Sequence, residues 1–204
     1  MTITDSDRSS FQAQIKEFHP QINEDMCLST SIKNILDRLS EDHHVPELSN
    51  FSVSTLNEMC EYQRHRGSTA RHLPRRLGPE IEPLGYEVKM DTQLNIENLQ
   101  ELIDNEDTSL PIVGLDPRFY DSVDLYDVDA GKFGERMPHT VVVLKVNHED
   151  VLFYDPLKDY YWSEGDPVPP SERPRRLFVE WWGGRSEPFW TLWIERSEQQ
   201  TLGN

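Results

Sequence analysis

At 204 residues the chain is long enough for one well-buried core and short for two. Its 37 Asp and Glu against 20 Lys and Arg give a net charge of −17, which argues against nucleic acid as a ligand, because neutralising phosphates needs basic surface. No run reaches the ~18 apolar residues of a membrane span, and the first residues lack a basic and an apolar signal region, so a soluble cytoplasmic protein with no membrane partner is expected. Two cysteines, Cys27 and Cys60, make no disulfide framework. An acidic, lysine-poor surface around an aromatic-containing core further suggests a high-salt cytoplasm, where carboxylates hold water and their repulsion is screened.

Taken in order, residues 1–17 read as a polar, frayed segment in which Phe11, Ile15 and Phe18 can pack as a short amphipathic turn. His19-Pro20 favours extended backbone. A first helix follows, with Asn23 or Asp25 as cap and Leu28, Ile32, Ile35, Leu36 and Leu39 as its apolar stripe. Ser40 to Asn50 reads as a polar connection holding His43-His44. A second helix fits Ser54 to about Gln63, capped by Ser54. Pro74 and Pro79 keep any helix after the basic stretch Arg64–Arg76 short.

Tyr86–Met90 alternates like a strand after the turn residue Gly85, Asn95 caps a helix through Leu99, Leu102 and Ile103, and Leu110–Leu115 reads as a buried strand. From Asp116 to Met137 the chain has few periodic apolar positions and many carboxylates, as in a functional loop or lid. Five strand-like segments remain: His139–Val146, Val151–Tyr154, Tyr160–Trp162, Leu177–Trp182 and Phe189–Ile194. Helices first and consecutive strands later predict an α+β domain with an antiparallel sheet, spanning 18–197 with a tail at 198–204.

Four residues stand out chemically. Cys27 opens the first helix, where the dipole and free amides favour thiolate over thiol. Gln21, six residues upstream, can set its side-chain amide beside the Cys27 backbone amide as a pair of oxyanion donors. His139 leads a strong β run, and Asp155 closes the next strand, where it can orient an imidazole. Each has an ordinary reading: a small buried residue, a surface amide, a strand-end histidine, an Asp-Pro turn. Their order and their placement on a helix start, a strand start and a strand end are jointly specific.

Gln21 and Cys27, Ser31 four residues on, and His139-Thr-Val-Val-Val through Asp155-Pro156 resemble the double-glycine leader (bacteriocin-processing) peptidase-like domains, stand-alone forms included, within the papain-like cysteine peptidases. Gly67-Ser68-Thr69 before a short helix and Leu110-Pro-Ile-Val before the long loop fit the same layout. The resemblance covers about Phe18 to Pro156. It implies a papain-like fold with N-terminal helices packed on a C-terminal antiparallel sheet. It also implies Cys27 as nucleophile, His139 as general base and acid, Asp155 as orienter and Gln21 as oxyanion donor, acting on a peptide or protein substrate without cofactor or metal. Leu28 stands where the family has glycine after the cysteine, and a peptide-binding module on the same fold is the alternative.

Other candidates read as structure. Cys60 lies on the apolar face of its helix, and the histidines at 43, 44, 65 and 72 lack the paired spacing of a zinc site. Trp181, Trp182, Trp190 and Trp193 read as packing residues. The carboxylates of 116–129 read as solvated surface that can also rim the cleft and favour cationic peptides.

Overall fold

A computed structural model describes residues 4–16, 18–23, 25–64, 67–116, 118–119, 138–161, 170–184 and 187–197. Where a frayed end is expected, Asp5–Ile15 forms helix α1, because Ile15 and Phe18 find a core to enter. Arg8 of α1 also makes a two-pronged contact with Glu172 across the sequence, at 2.8 and 3.1 Å.

Helix α2 runs Cys27–His43 and buries the expected stripe Leu28, Ile32, Ile35, Leu36 and Leu39. It continues past Leu39 because Lys33–Asp37 and Arg38–Asp42 pair one turn apart on its outer side. It stops at His44 in the left-handed conformation, whose N–H bonds back to Ser40 O. A 3-10 turn at Pro46–Asn50 leads to α3, Val53–Met59, capped by Ser52 rather than Ser54. The Ser52 hydroxyl accepts from Thr55 N at 3.0 Å. Helices α4 (Leu73–Arg76) and α5 (Gly78–Ile81) are single turns, each with proline in its first positions.

Gly85 at φ 88° then turns the chain into β1, Tyr86–Asp91, a conformation that costs a residue with a Cβ. Asn95 caps α6 (Ile96–Asp104) as expected, in a reciprocal pair with Asn98. Then come β2 (Ile112–Leu115), β3 (His139–Val146), β4 (Asp150–Tyr154), α7 (Pro156–Tyr161), β5 (Ser171–Pro174), α8 (Arg175–Gly183) and β6 (Thr191–Arg196).

Two strand expectations are corrected. Leu177–Trp182 lies in α8: Phe178, Trp181 and Trp182 are its buried residues, a spacing of three and four that fits a helix face despite the strand-forming side chains. Tyr160 and Tyr161 end α7, which Asp155 and Pro156 start in helical form, and Trp162 lies outside the described residues. So does most of the acidic segment, 117 and 120–137.

The strands form an antiparallel sheet in the order β1-β6-β2-β3-β4-β5. Strand β3 is buried on both faces, which explains its unbroken apolar run. Val142 and Leu144 join the core under α2, whereas Val141 and Val143 join a second core under α6 and α8. Helices therefore cover both faces of the sheet, and α2 packs across β3. No helix among the described residues is long and apolar enough to cross a membrane.

Candidate active site

The first turn of α2 meets the first residues of β3. Met26 occupies the N-cap position without a side-chain cap, so neither Asn23 nor Asp25 caps the helix as expected. Both instead brace the approach to it. The Asn23 amide reaches Met26 Sδ at 3.6 Å, and Asp25 accepts from the Tyr62 hydroxyl at 2.8 Å. Below the helix start, buried Asn57 of α3 accepts from Ser29 Oγ at 2.5 Å and points its amide at Met26 Sδ.

Cys27, Thr140, His139 and Asp155 meet at this end of the sheet. His139 and Asp155 are both buried, and His139 Nε2 lies 2.7 Å from Asp155 Oδ1. The same oxygen accepts from the amides of Leu157 and Lys158 at 3.0 and 3.3 Å, so the carboxylate is fixed from two sides. With Nε2 engaged, Nδ1 is the imidazole nitrogen left to serve Cys27, on which the hydrogen bond and charge of His139 act. Thr140, on the α2 side of β3 by alternation, offers Cys27 hydrogen bonds from its side chain and its backbone.

These contacts set the ionisation. Burial acts most strongly on His139 and disfavours its charge, but the Asp155 carboxylate and the Cys27 sulfur together outweigh it and push the imidazole up to about 10. Burial likewise opposes a Cys27 thiolate, since the sulfur is packed by protein although part of the residue meets solvent. The hydrogen bond and charge of His139, with Thr140, overcome that and lower the thiol below its usual 9.0. The two shifts run in opposite directions, and both favour a thiolate facing an imidazolium. Cys60 differs: buried in the core, it is pushed up to about 12, with Arg76 lowering it only in part.

Gln21 is buried, and neither atom of its side-chain amide has a hydrogen-bond partner among the described residues. Its backbone N–H points to Pro156 O at 3.5 Å, tying the segment before the helix to the residue after Asp155. A buried, unpartnered amide is uncommon and costly. Sequence reading missed Thr140 and Asn57; only their places, next to His139 and facing the helix start, distinguish them. It also missed Phe119, whose ring stacks on His139 at 5.5 Å. Leu28 is buried in the core beneath α2 together with Ile32 and Ile35. Among the described residues no three His, Cys, Asp or Glu side chains are placed to share a metal ion.

No protein-family model matches the chain, and no curated protein matches it. Solved structures do. The peptidase domain of Streptococcus ComA, a bi-functional ABC transporter involved in a quorum-sensing pathway, is 19% identical over 88% of this chain and 97% of its own, with a TM-score of 0.49. A protein of Bacillus anthracis named as a C39-like peptidase is 14% identical over 91% of this chain and 97% of its own, with a TM-score of 0.58. At that identity the likeness is one of fold, and with the helices and antiparallel sheet described above it bears out the expected class: the chain has the α+β, papain-like fold of C39-like peptidases.

Proposed function

We propose that the protein is a cysteine peptidase, or a closely related thiol hydrolase, that cleaves a peptide or amide bond. The observation that carries this reading is the buried His139–Asp155 pair set against Cys27 at the start of α2, an arrangement that favours ionisation of the sulfur and a proton on the imidazole. In the reaction the Cys27 thiolate attacks the substrate carbonyl. The oxyanion is held by the Gln21 side-chain amide and the Cys27 backbone N–H. His139 gives its proton to the leaving amine as the C–N bond breaks, then takes one from water, whose oxygen attacks the acyl-enzyme and frees the carboxylic acid and Cys27. Asp155 keeps the imidazole oriented and its charge balanced throughout.

The substrate on this reading is a peptide or protein, and the acidic surface suits a high-salt cytoplasm. A peptide-binding module without turnover would rest on Leu28 replacing the small residue after the cysteine. Burial of Leu28 in the core favours the enzyme instead.

Alkylation of the folded protein by iodoacetamide in high salt, followed across pH with the label located by mass spectrometry, tests the proposal. Rapid labelling of Cys27 at pH 6 that is lost in His139→Ala is the expected result. Labelling that begins only near the free-thiol pKa of roughly 8.5, unchanged in the variant, would leave the binding module.

A further inference from the structure

The ring of Phe119 lies almost parallel to the imidazole of His139, with centroids 5.5 Å apart and planes 12° from each other. That is within the ~6 Å at which a cation is drawn to an aromatic face. The contact is built by several independent restraints. Strand β2 ends at Leu115, which pairs with His139 in the sheet register. The next amide, Asp116 N–H, donates to Trp181 O of α8 at 2.8 Å. The Asp116 carboxylate then accepts from both the backbone N–H and the Nε of Arg118, each at 2.9 Å, while Arg118 lies 3.7 Å from Glu180 of α8. Phe119 N–H closes the turn on Asp116 O at 2.9 Å. Phe119 is thereby carried over the end of β3, fully buried and held edge-on against Trp181 and Phe153 at 5.3 and 5.9 Å.

The two partners of His139 use its in-plane nitrogens, whereas Phe119 covers a face. The charged groups that act on the imidazole are Asp155 at the end of β4 and Cys27 of α2. On the neighbouring elements, Asp116 and Glu180 are paired with Arg118, and Lys158 of α7 acts on Asp155. The face of Phe119 adds a contribution of another kind, electron density against a ring that carries a positive charge below its raised pKa of about 10.

We propose that Phe119 is a positioning residue for the Cys27–His139 pair: it fixes the plane of the imidazole and its negative face stabilises the imidazolium that faces the Cys27 sulfur. The inference rests on the proposed catalytic pairing of these two residues. It adds a determinant of how basic His139 is, located on the turn after β2.

The test is an NMR titration of the His139 ring, run beside the pH profile of Cys27 alkylation. Phe119→Leu keeps apolar bulk and removes the π face; it lowers the His139 pKa by about one unit and shifts the onset of Cys27 labelling to higher pH. Replacing Phe119 by 3,5-difluorophenylalanine preserves shape while weakening the negative face, and gives a smaller shift in the same direction. This chain decides the matter if Phe119→Leu does not fold. Phe178→Leu, in the same aromatic cluster but tilted against Phe153 and Trp182, leaves both titrations unchanged. An intact wild-type pair with unaltered titrations in both Phe119 chains, or an equal shift in Phe178→Leu, overturns the proposal alone. A wild-type His139 that is neutral at pH 7, with Cys27 reacting as a free thiol, overturns it together with the catalytic reading.

Discussion

Asp155 grips His139 with the same carboxylate oxygen that starts α7: Oδ1 is 2.7 Å from the imidazole Nε2 and 3.0 Å from the Leu157 amide. Orientation of the imidazole and capping of the helix are therefore one interaction, and two substitutions separate them. Asp155→Asn retains an acceptor for both partners but removes the charge. The His139 pKa then falls from about 10 towards its ordinary 6.5, and Cys27 alkylation at pH 6 slows about tenfold or more. Asp155→Ala loses the cap as well and leaves a buried imidazole nitrogen unpaired, at a further cost of about 1–3 kcal/mol in urea unfolding.

On the proposed mechanism, the opposed shifts of the pair define a pH window for turnover. Thiolate appears as pH rises through the lowered Cys27 value, so the onset of alkylation should lie below 9.0. The imidazolium that must protonate a leaving amine is lost as pH rises past about 10. Peptide turnover should be bell-shaped between those limits, whereas alkylation, which needs no acid, should stay high on the alkaline side. Cys60, raised to about 12 and buried, should remain unlabelled at pH 7 in the folded protein and react after unfolding. Peptide mass mapping of both states checks this.

Much of this arrangement could be read from local signals. The stripe of α2, the strand run of β3 and the Asn95 cap each rest on side-chain pattern or on one residue's hydrogen bonding, and the sequence carries both. Cys27, His139 and Asp155 could be named because helix and strand ends are legible places for chemistry. What escaped depends on partners far away in the chain. Leu177–Trp182 has the side chains of a strand, and its helical spacing becomes decisive only with a second core to fill. Asn57 is an ordinary helix residue until Ser29, 28 positions earlier, comes within bonding distance. Phe119 belongs to a stretch whose carboxylates dominate its composition, and it acquires meaning only when the turn after β2 folds it onto His139.

Asn57 makes a direct prediction. Its Oδ1 accepts a hydrogen bond from the Ser29 hydroxyl, and its amide faces Met26 Sδ, so it locks α3 to the turn that presents Cys27. Asn57→Leu leaves the buried Ser29 hydroxyl only the Met26 carbonyl oxygen, 3.2 Å away, and should cost about 1 kcal/mol in urea unfolding. Adding Ser29→Ala to it should recover part of the loss, because the hydroxyl is removed along with its acceptor.

Gly184 tests the turn that carries Phe119. A Cβ there would sit 2.5 Å from Arg118 Nη2, 2.9 Å from the Glu180 carbonyl oxygen and 3.2 Å from Asp116 Oδ2. The arginine tip can swing away, but the helix carbonyl cannot. Gly184→Ala should therefore lower stability by about 1–3 kcal/mol and loosen Asp116–Arg118. Equilibrium unfolding measures the first effect, and the pH profile of Cys27 labelling reports whether the second reaches His139.

Gln21 separates stability from chemistry most sharply. Its buried amide has no hydrogen-bond partner among the described residues, so it costs desolvation and returns nothing to the resting fold. Gln21→Met fills the same space without polar atoms and should leave stability unchanged or raise it by about 1 kcal/mol. A donor waiting for an oxyanion predicts the opposite effect on binding. A peptide aldehyde captured by Cys27 forms a thiohemiacetal whose oxygen occupies the oxyanion position, and its affinity should fall by about 10²-fold or more in the variant. Iodoacetamide, which displaces iodide and builds no oxyanion, should label Cys27 at the wild-type rate. If aldehyde affinity and alkylation both stay at wild-type values, Gln21 is a packing residue and the oxyanion donors lie elsewhere.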